Sequence, residues 1–112
     1  MIDEYKFGSF VINGRVYVDD IKIIDKKVKY WQNRDGHDLR LEDIKEILAA
    51  RPEFLVIGCG ASGLLKVSDE IRELLARNRV KVFVDKNPKA CEVFNRALLE
   101  NRKVAAIFHG TC

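Results

Sequence analysis

The sequence predicts an α/β fold: a single domain over residues 1–112, with a mixed sheet, helices packed on it and an antiparallel β layer from the amino-terminal third. Three observations point there. Between Glu53 and Asp85 the chain reads EFLVIGCGASGLLKVSDEIRELLARNRVKVFVD. An apolar run, a glycine-rich turn, a helical stripe and a second apolar run follow one another, which is the order of a βαβ unit. Before it, Asn13-Gly14 stands between hydrophobic stretches, the strongest short-range signal for a hairpin. After it, Val104–Phe108 is apolar without alternation, as a strand covered on both faces requires.

Composition narrows the function classes. A chain of 112 residues can bury one sizeable core but has no room for two dinucleotide half-sites and a substrate domain. Its 47% hydrophobic and 33% charged residues are those of a globular protein, not of a disordered tail. Lys and Arg number 20 against 17 Asp and Glu, a net charge of +3 that sets up no strong basic field. Lys26, Lys27, Arg72, Arg77, Arg79 and Lys81 form no aromatic-interleaved stripe, so neither a nucleic-acid nor a membrane partner is expected. No apolar run reaches the roughly 18 residues of a membrane span, and Met1-Ile2-Asp3-Glu4 does not begin like a signal peptide. A cytoplasmic location is expected. Cys59, Cys91 and Cys112 include no CxxC pair, so no disulfide framework is expected.

Each element has its own signal. Phe7–Ile12 leads into the Asn13-Gly14 turn, and Val16 and Val18 mark the returning strand. Ile21 and Ile23 alternate with Asp20 and Lys22; after Asp25-Lys26-Lys27, Val28 and Tyr30 alternate again. The reading is a meander of short strands with one apolar face that something downstream must cover. The loop Asn33–His37 ends it. Leu41, Ile44, Ile47 and Leu48 recur at helical spacing with Glu42 and Asp43 in the first turn, and Pro52 stops that helix. Phe54–Ile57 is a buried strand. Ser68 is a possible N-cap for the next helix, whose stripe is Val67, Ile71, Leu74 and Leu75; periodicity leaves open whether residues 64–67 belong to it or to the loop. Val80, Val82 and Val84 form a second buried strand. Asn87 is read as N-cap and Pro88 as first helical position of the last helix, which buries Ala90, Val93, Phe94, Ala97 and Leu98.

Gly58-Cys59-Gly60-Ala61-Ser62-Gly63 matches G-x-G-x-x-G and is followed, 22 residues after Gly63, by Asp85. In a dinucleotide site the glycines admit a pyrophosphate to a helix N-terminus and the acid binds a ribose hydroxyl. Gly60→Ala would then abolish cofactor binding and leave the fold intact. The same glycines also suit a tight turn. Cys59 is either a thiol activated near a helix N-terminus or a small buried residue, and Cys91 is read as core. His109 and Cys112 are spaced like metal ligands but have no second pair, so no metal site is expected. His37 is a capping residue unless folding brings it to the glycine turn. Asn95 lies beside the inner stripe of the last helix, where its amide needs partners, and Arg102 is placed to hold helix carbonyls or an anion.

Several short stretches, in order along nearly the whole chain, resemble the Mth-nine-three-eight-like family, a domain of unknown function. They are Gly14, Tyr17 and Asp20-Ile21; His37; Ile57-Gly58-Cys59-Gly60; Ala90 with Phe94-Asn95; Arg102–Ala106; and His109-Gly110-Thr111-Cys112. Cys59 stands where the family commonly has Thr or Ser, Phe94 where Tyr is common, and Asn101 where Gly often precedes the Arg. The resemblance implies three layers, with helices on one side of a central mixed sheet and further β and helical structure on the other. It also implies that the glycine-rich segment is a loop rather than a dinucleotide clamp. No catalytic residue or cofactor comes with it. Relatives that include a mitochondrial respiratory complex I assembly factor imply a protein-binding or assembly-factor-like module, serving another protein or a homo-oligomer. The alternative is a small enzyme or ligand-binding protein. Its pocket would draw on Gly58, Cys59, Gly60, Ser62 and Gly63, with His37, Asp85, Asn95 and Arg102 as further candidates.

Overall fold

The computed structural model describes residues 1–32 and 37–112, so of the loop expected at Asn33–His37 only His37 falls within it. The elements run β1 (Ile2–Lys6), β2 (Ser9–Ile12), β3 (Arg15–Val18), β4 (Ile21–Ile24), β5 (Lys27–Tyr30), α1 (Leu41–Ala49), β6 (Phe54–Gly58), α2 (Asp69–Arg77), β7 (Lys81–Asp85), α3 (Asn87–Leu99) and β8 (Val104–Phe108). β1, β2 and β3 make a small antiparallel sheet. The large sheet has the order β5-β4-β8-β6-β7; β6 is parallel to both β7 and β8, and β4 is antiparallel to β8 and β5.

The expected single meander is therefore corrected. It divides after β3, and β4 and β5 extend the central sheet. The cause is β8, buried along its whole length, whose second backbone edge needs a partner; β4 supplies it, pairing Ile21 with Phe108 and Ile23 with Ala106. Consequently Ile21, Lys22 and Ile23 are all buried. Lys22 crosses to the far face and donates from Nζ to the Asp43 carbonyl at 2.6 Å. β1 was not anticipated, because a bulge between Ile2 and Glu4 breaks its period-two alternation.

Two cores make three layers, as the resemblance implied. Leu55, Ile57, Ala105 and Ile107 face α1 and α2, meeting Ile44, Ile47, Ile71 and Leu75. Val56, Ala106 and Phe108 face the other way, onto Phe94 and Ala97 of α3 and Phe10 and Ile12 of the small sheet. Each fully buried large side chain here contributes about 1.5–3 kcal/mol, so the meander's inner apolar face is spent inside the molecule. β7 is corrected too: Val82 and Val84 are only half-buried, because β7 is the last strand of the sheet.

Local capping fixes the helices. Asp43 accepts from Arg40 N at 2.8 Å and, through its other oxygen, from Trp31 Nε1 at 2.9 Å. Ser68 Oγ accepts from Ile71 N at 3.2 Å, so α2 begins at Asp69 and residues 64–67 belong to the loop. α3 departs from expectation. Lys86 is its cap, and Asn87 is already helical with its side chain turned elsewhere.

Candidate functional site

β6, β7 and β8 end side by side, with Gly58 opposite Asp85 on one flank and Phe108 on the other. The glycine-rich loop leaves from that end, but α2 starts only at Asp69, so the glycines do not open a helix. The space above them is filled by the chain itself. Ala61 N donates to Thr111 O at 2.7 Å, and Ser62 N and Leu64 N both donate to Cys112 O at 3.1 Å. Gly60 has φ +99°, and a Cβ there would lie 2.1 Å from the Cys112 carbonyl carbon. A pyrophosphate would have to expel residues 111–112 to reach these N–H groups. The loop is built to receive a strand end.

Asn87 organises this closure. Wholly buried, it accepts from Gly60 N at 3.0 Å and donates through Nδ2 to His109 O at 2.7 Å, while its own N–H reaches Gly60 O at 3.1 Å. On the far side of the same segment, Nδ1 of His109 lies 2.9 Å from Asp20 Oδ1, which also accepts from Gly110 N at 2.7 Å. Gly110 O in turn accepts from Tyr5 Oη at 2.9 Å and Gly8 N at 2.8 Å. Thr111 Oγ1 stands 3.5 Å from His109 Nε2. Hydroxyl, imidazole and carboxylate thus follow the order of a nucleophile, a base and its orienting acid. His109 is only 5% exposed, and Asp20 Oδ1 also accepts from the Gly110 N–H, so the row ties residues 109–111 to the start of β4.

The candidate residues separate into two groups. Gly58, Cys59, Gly60, Ser62, Gly63 and Asp85 lie at the loop, where Cys59 N donates to Asp85 O at 2.8 Å. Folding also brings His37 there, with its ring edge-on to His109 at 5.4 Å. Asn95 is elsewhere: it clasps β1, accepting from Ile2 N and donating to Ile2 O, both at 2.8 Å. Arg102 lies beyond the opposite end of β6, its Nε 3.3 Å from Glu53 and its guanidinium 4.5 Å over the Phe54 ring. Asn87 went unrecognised at the sequence level because Asn-Pro at a helix start reads as a cap. Among the described residues no group of three His, Cys, Asp or Glu side chains is placed to hold a metal ion.

The Cys59 thiol is buried. Burial pushes it up to about 11, and burial pushes Cys91 up to about 12. At pH 8, a maleimide should modify half-buried Cys112 in the native protein and reach Cys59 and Cys91 only on unfolding, as peptide mass mapping would show. The pH dependence has a definite sign. Both thiols hold their protons in the folded chain while unfolded thiols ionise near 9.0, so stability falls as pH rises from 9 toward 11. Between pH 8 and 10 the protein should lose about 1–3 kcal/mol more than Cys59→Ala/Cys91→Ala does, measured by urea titration. Equal losses would refute it.

The family model described as "Protein of unknown function (DUF498/DUF598)" matches residues 2–109. The chain belongs to this family. A relative by sequence is the 13 kDa major membrane protein of Francisella tularensis subsp. holarctica (strain LVS), 27% identical over 106 residues, covering 93% of this chain and 85% of that one. The fold is similar to that of an outer membrane protein from Bartonella henselae, with TM-score 0.86, 28% identity and coverage of 99% and 94%. It is also similar to MT938, with TM-score 0.83, 29% identity and coverage of 100% and 98%. The last agrees with the resemblance to the Mth-nine-three-eight-like family. No helix among the described residues of this DUF498/DUF598 chain is long and apolar enough to cross a membrane.

Proposed function

We propose that this protein is a non-catalytic, assembly-factor-like module that binds another protein through the outer face of its small sheet. One observation carries the reading: Val16 and Val18 are 61% and 50% exposed on a sheet whose opposite face is buried. β2 and β3 pair Val11 with Val16 and Ser9 with Val18, so three valines stand together on the outside, with Phe7 exposed in the turn between β1 and β2. A β layer with one face in the core and, on the other, a valine cluster edged by the Glu4–Lys6 ion pair of β1 has the apolar centre and charged rim of an interface. The closed glycine loop supports the same reading, since the residues best suited to chemistry are engaged in holding the chain together. The location that goes with it is cytoplasmic, and the partner is a protein or a second copy of the chain.

The test places a photo-crosslinking amino acid at Val16 in living cells. A single recurrent adduct is expected, and Val18→Glu should abolish it without altering the melting temperature. Absence of any adduct, together with a monomer at high concentration in sedimentation, would sink the proposal.

The Asn95 clasp yields a further expectation. Asn95→Ala should free the outer edge of β1 and raise amide exchange at Ile2 and Tyr5, with a loss of about 1–2 kcal/mol in stability. Unchanged protection in β1 would show that the clasp contributes nothing.

A further inference from the structure

A different open feature lies between the β4–β5 hairpin, the C-terminal half of α3 and the tip of the β2–β3 hairpin. It is a groove of about 270 Å³ walled mainly by Ile12, Ile23, Val28, Phe94, Leu98 and Leu99, with Lys26 at its rim. A second depression, of about 220 Å³, shares Lys26 and Leu98 with it and adds Asp25, Arg102 and Lys103. The two adjoin at Lys26 and Leu98 as a trough, its first part mainly apolar with Met1 and Asn13 also at its wall, its second part charged.

The charged end has cations to spare. Arg102 is engaged by Glu53 and by the Phe54 ring. Lys26 and Lys103 make no ion pair among the described residues, and Asp25 offsets only one of them. The position of Lys26 is itself informative. It occupies the second place of a two-residue turn at φ +65°, after Asp25 at φ +50°. At the equivalent place of the β2–β3 hairpin this chain uses Gly14, the residue that such a turn relaxes onto. The turn places the Lys26 side chain at the junction of the two depressions.

The apolar part lies just under the 300–1,000 Å³ range of pockets for drug-sized ligands, which favours a narrow, unbranched occupant. We infer that the trough binds a free medium-chain fatty acid, its alkyl chain against Ile23, Val28, Phe94 and Leu98 and its carboxylate at Lys26 and Lys103. Apolar burial supplies the affinity, and the two ammonium groups fix the direction in which the chain enters. The site is separate from the valine face, and neither proposal depends on the other.

Octanoate, decanoate and dodecanoate, each below its micellar concentration, are titrated into the isotope-labelled protein and followed by amide and methyl chemical shifts. Saturable shifts are expected at Ile23, Val28, Phe94 and Leu98, with binding about tenfold tighter for each added pair of methylenes. Lys26→Glu/Lys103→Glu, exposed changes that should leave the melting temperature alone, should weaken dodecanoate at least tenfold and leave dodecanol unaffected. Should the double variant misfold, Lys26→Gln serves, with a severalfold loss expected. Absence of saturable binding, shifts confined to other surfaces, or equal affinity in the charge variants would overturn the inference. So would binding to phosphatidylglycerol vesicles without binding to monomeric dodecanoate.

Discussion

Asn87→Ala is expected to lower the free energy of unfolding by about 2–5 kcal/mol, because it leaves two buried backbone groups without partners. The side chain is wholly buried, and it both accepts from Gly60 N and donates to His109 O. Among the described residues no other side chain bridges the glycine loop to the end of β8 in this way. Losing it orphans a donor on one side and an acceptor on the other, each at about 1–3 kcal/mol, in a gap too small to rebuild with alanine. Asn87→Asp is the sharper control. It keeps an acceptor for Gly60 N but cannot donate to His109 O when ionised, and it buries a charge, so it should be no more stable than the alanine variant. Urea titration of the two proteins decides the matter. A loss below about 1 kcal/mol for both would mean that the loop relaxes and that Asn87 does not hold it.

Gly60→Ala should be the second large effect, at about 3 kcal/mol or more, with Gly110→Ala close behind. At Gly60 a new Cβ would stand 2.1 Å from the Cys112 carbonyl carbon on a residue at φ +99°; at Gly110 it would stand 2.0 Å from Asp19 O. Both obstacles are backbone and neither is free to swing aside. Gly63→Ala makes the comparison, since it also has positive φ but meets only the flexible Lys86 side chain, at 3.3 Å. About 1 kcal/mol is expected there. This ranking separates the closed loop from the dinucleotide motif. A cofactor clamp predicts that Gly60→Ala folds normally and loses a ligand, whereas a loop packed on residues 111–112 predicts lost stability with no nucleotide present. Thermal unfolding of the three variants in plain buffer distinguishes the two.

The periodic elements were legible in the sequence, and their tertiary use was not. The Asn13-Gly14 hairpin, the Ser68 cap and the buried strands around Val56 and Ala106 follow from local rules that hold whatever surrounds them. The split of the amino-terminal strands does not, because nothing within Ile21–Ile24 says that its backbone will pair with Phe108 rather than with β3. Asn87 failed for a related reason: a helix-start asparagine bonds its own turn by default, and only the arrival of Gly60 and His109 gives it other work. The G-x-G-x-x-G match left the use of the loop open because spacing records where the glycines are and not what packs on them. His109, Gly110 and Thr111 carry part of the family resemblance, yet their task appears only once Asp20 and Tyr5 are beside them.

The position of β8 bears on how the chain is made. Of the described strands it is the last to be synthesised, yet it lies at the centre of the large sheet, between β4 and β6. A ribosome-bound chain that has exposed everything up to α3 still lacks the strand joining the β4–β5 hairpin to the rest, and the apolar faces on both sides of that gap stay open to water. The large sheet therefore cannot close until β8 has emerged, and Ile21 must find Phe108 across 87 positions of sequence. Until then a nascent chain of this kind has an uncovered sheet centre, the surface on which chaperones act.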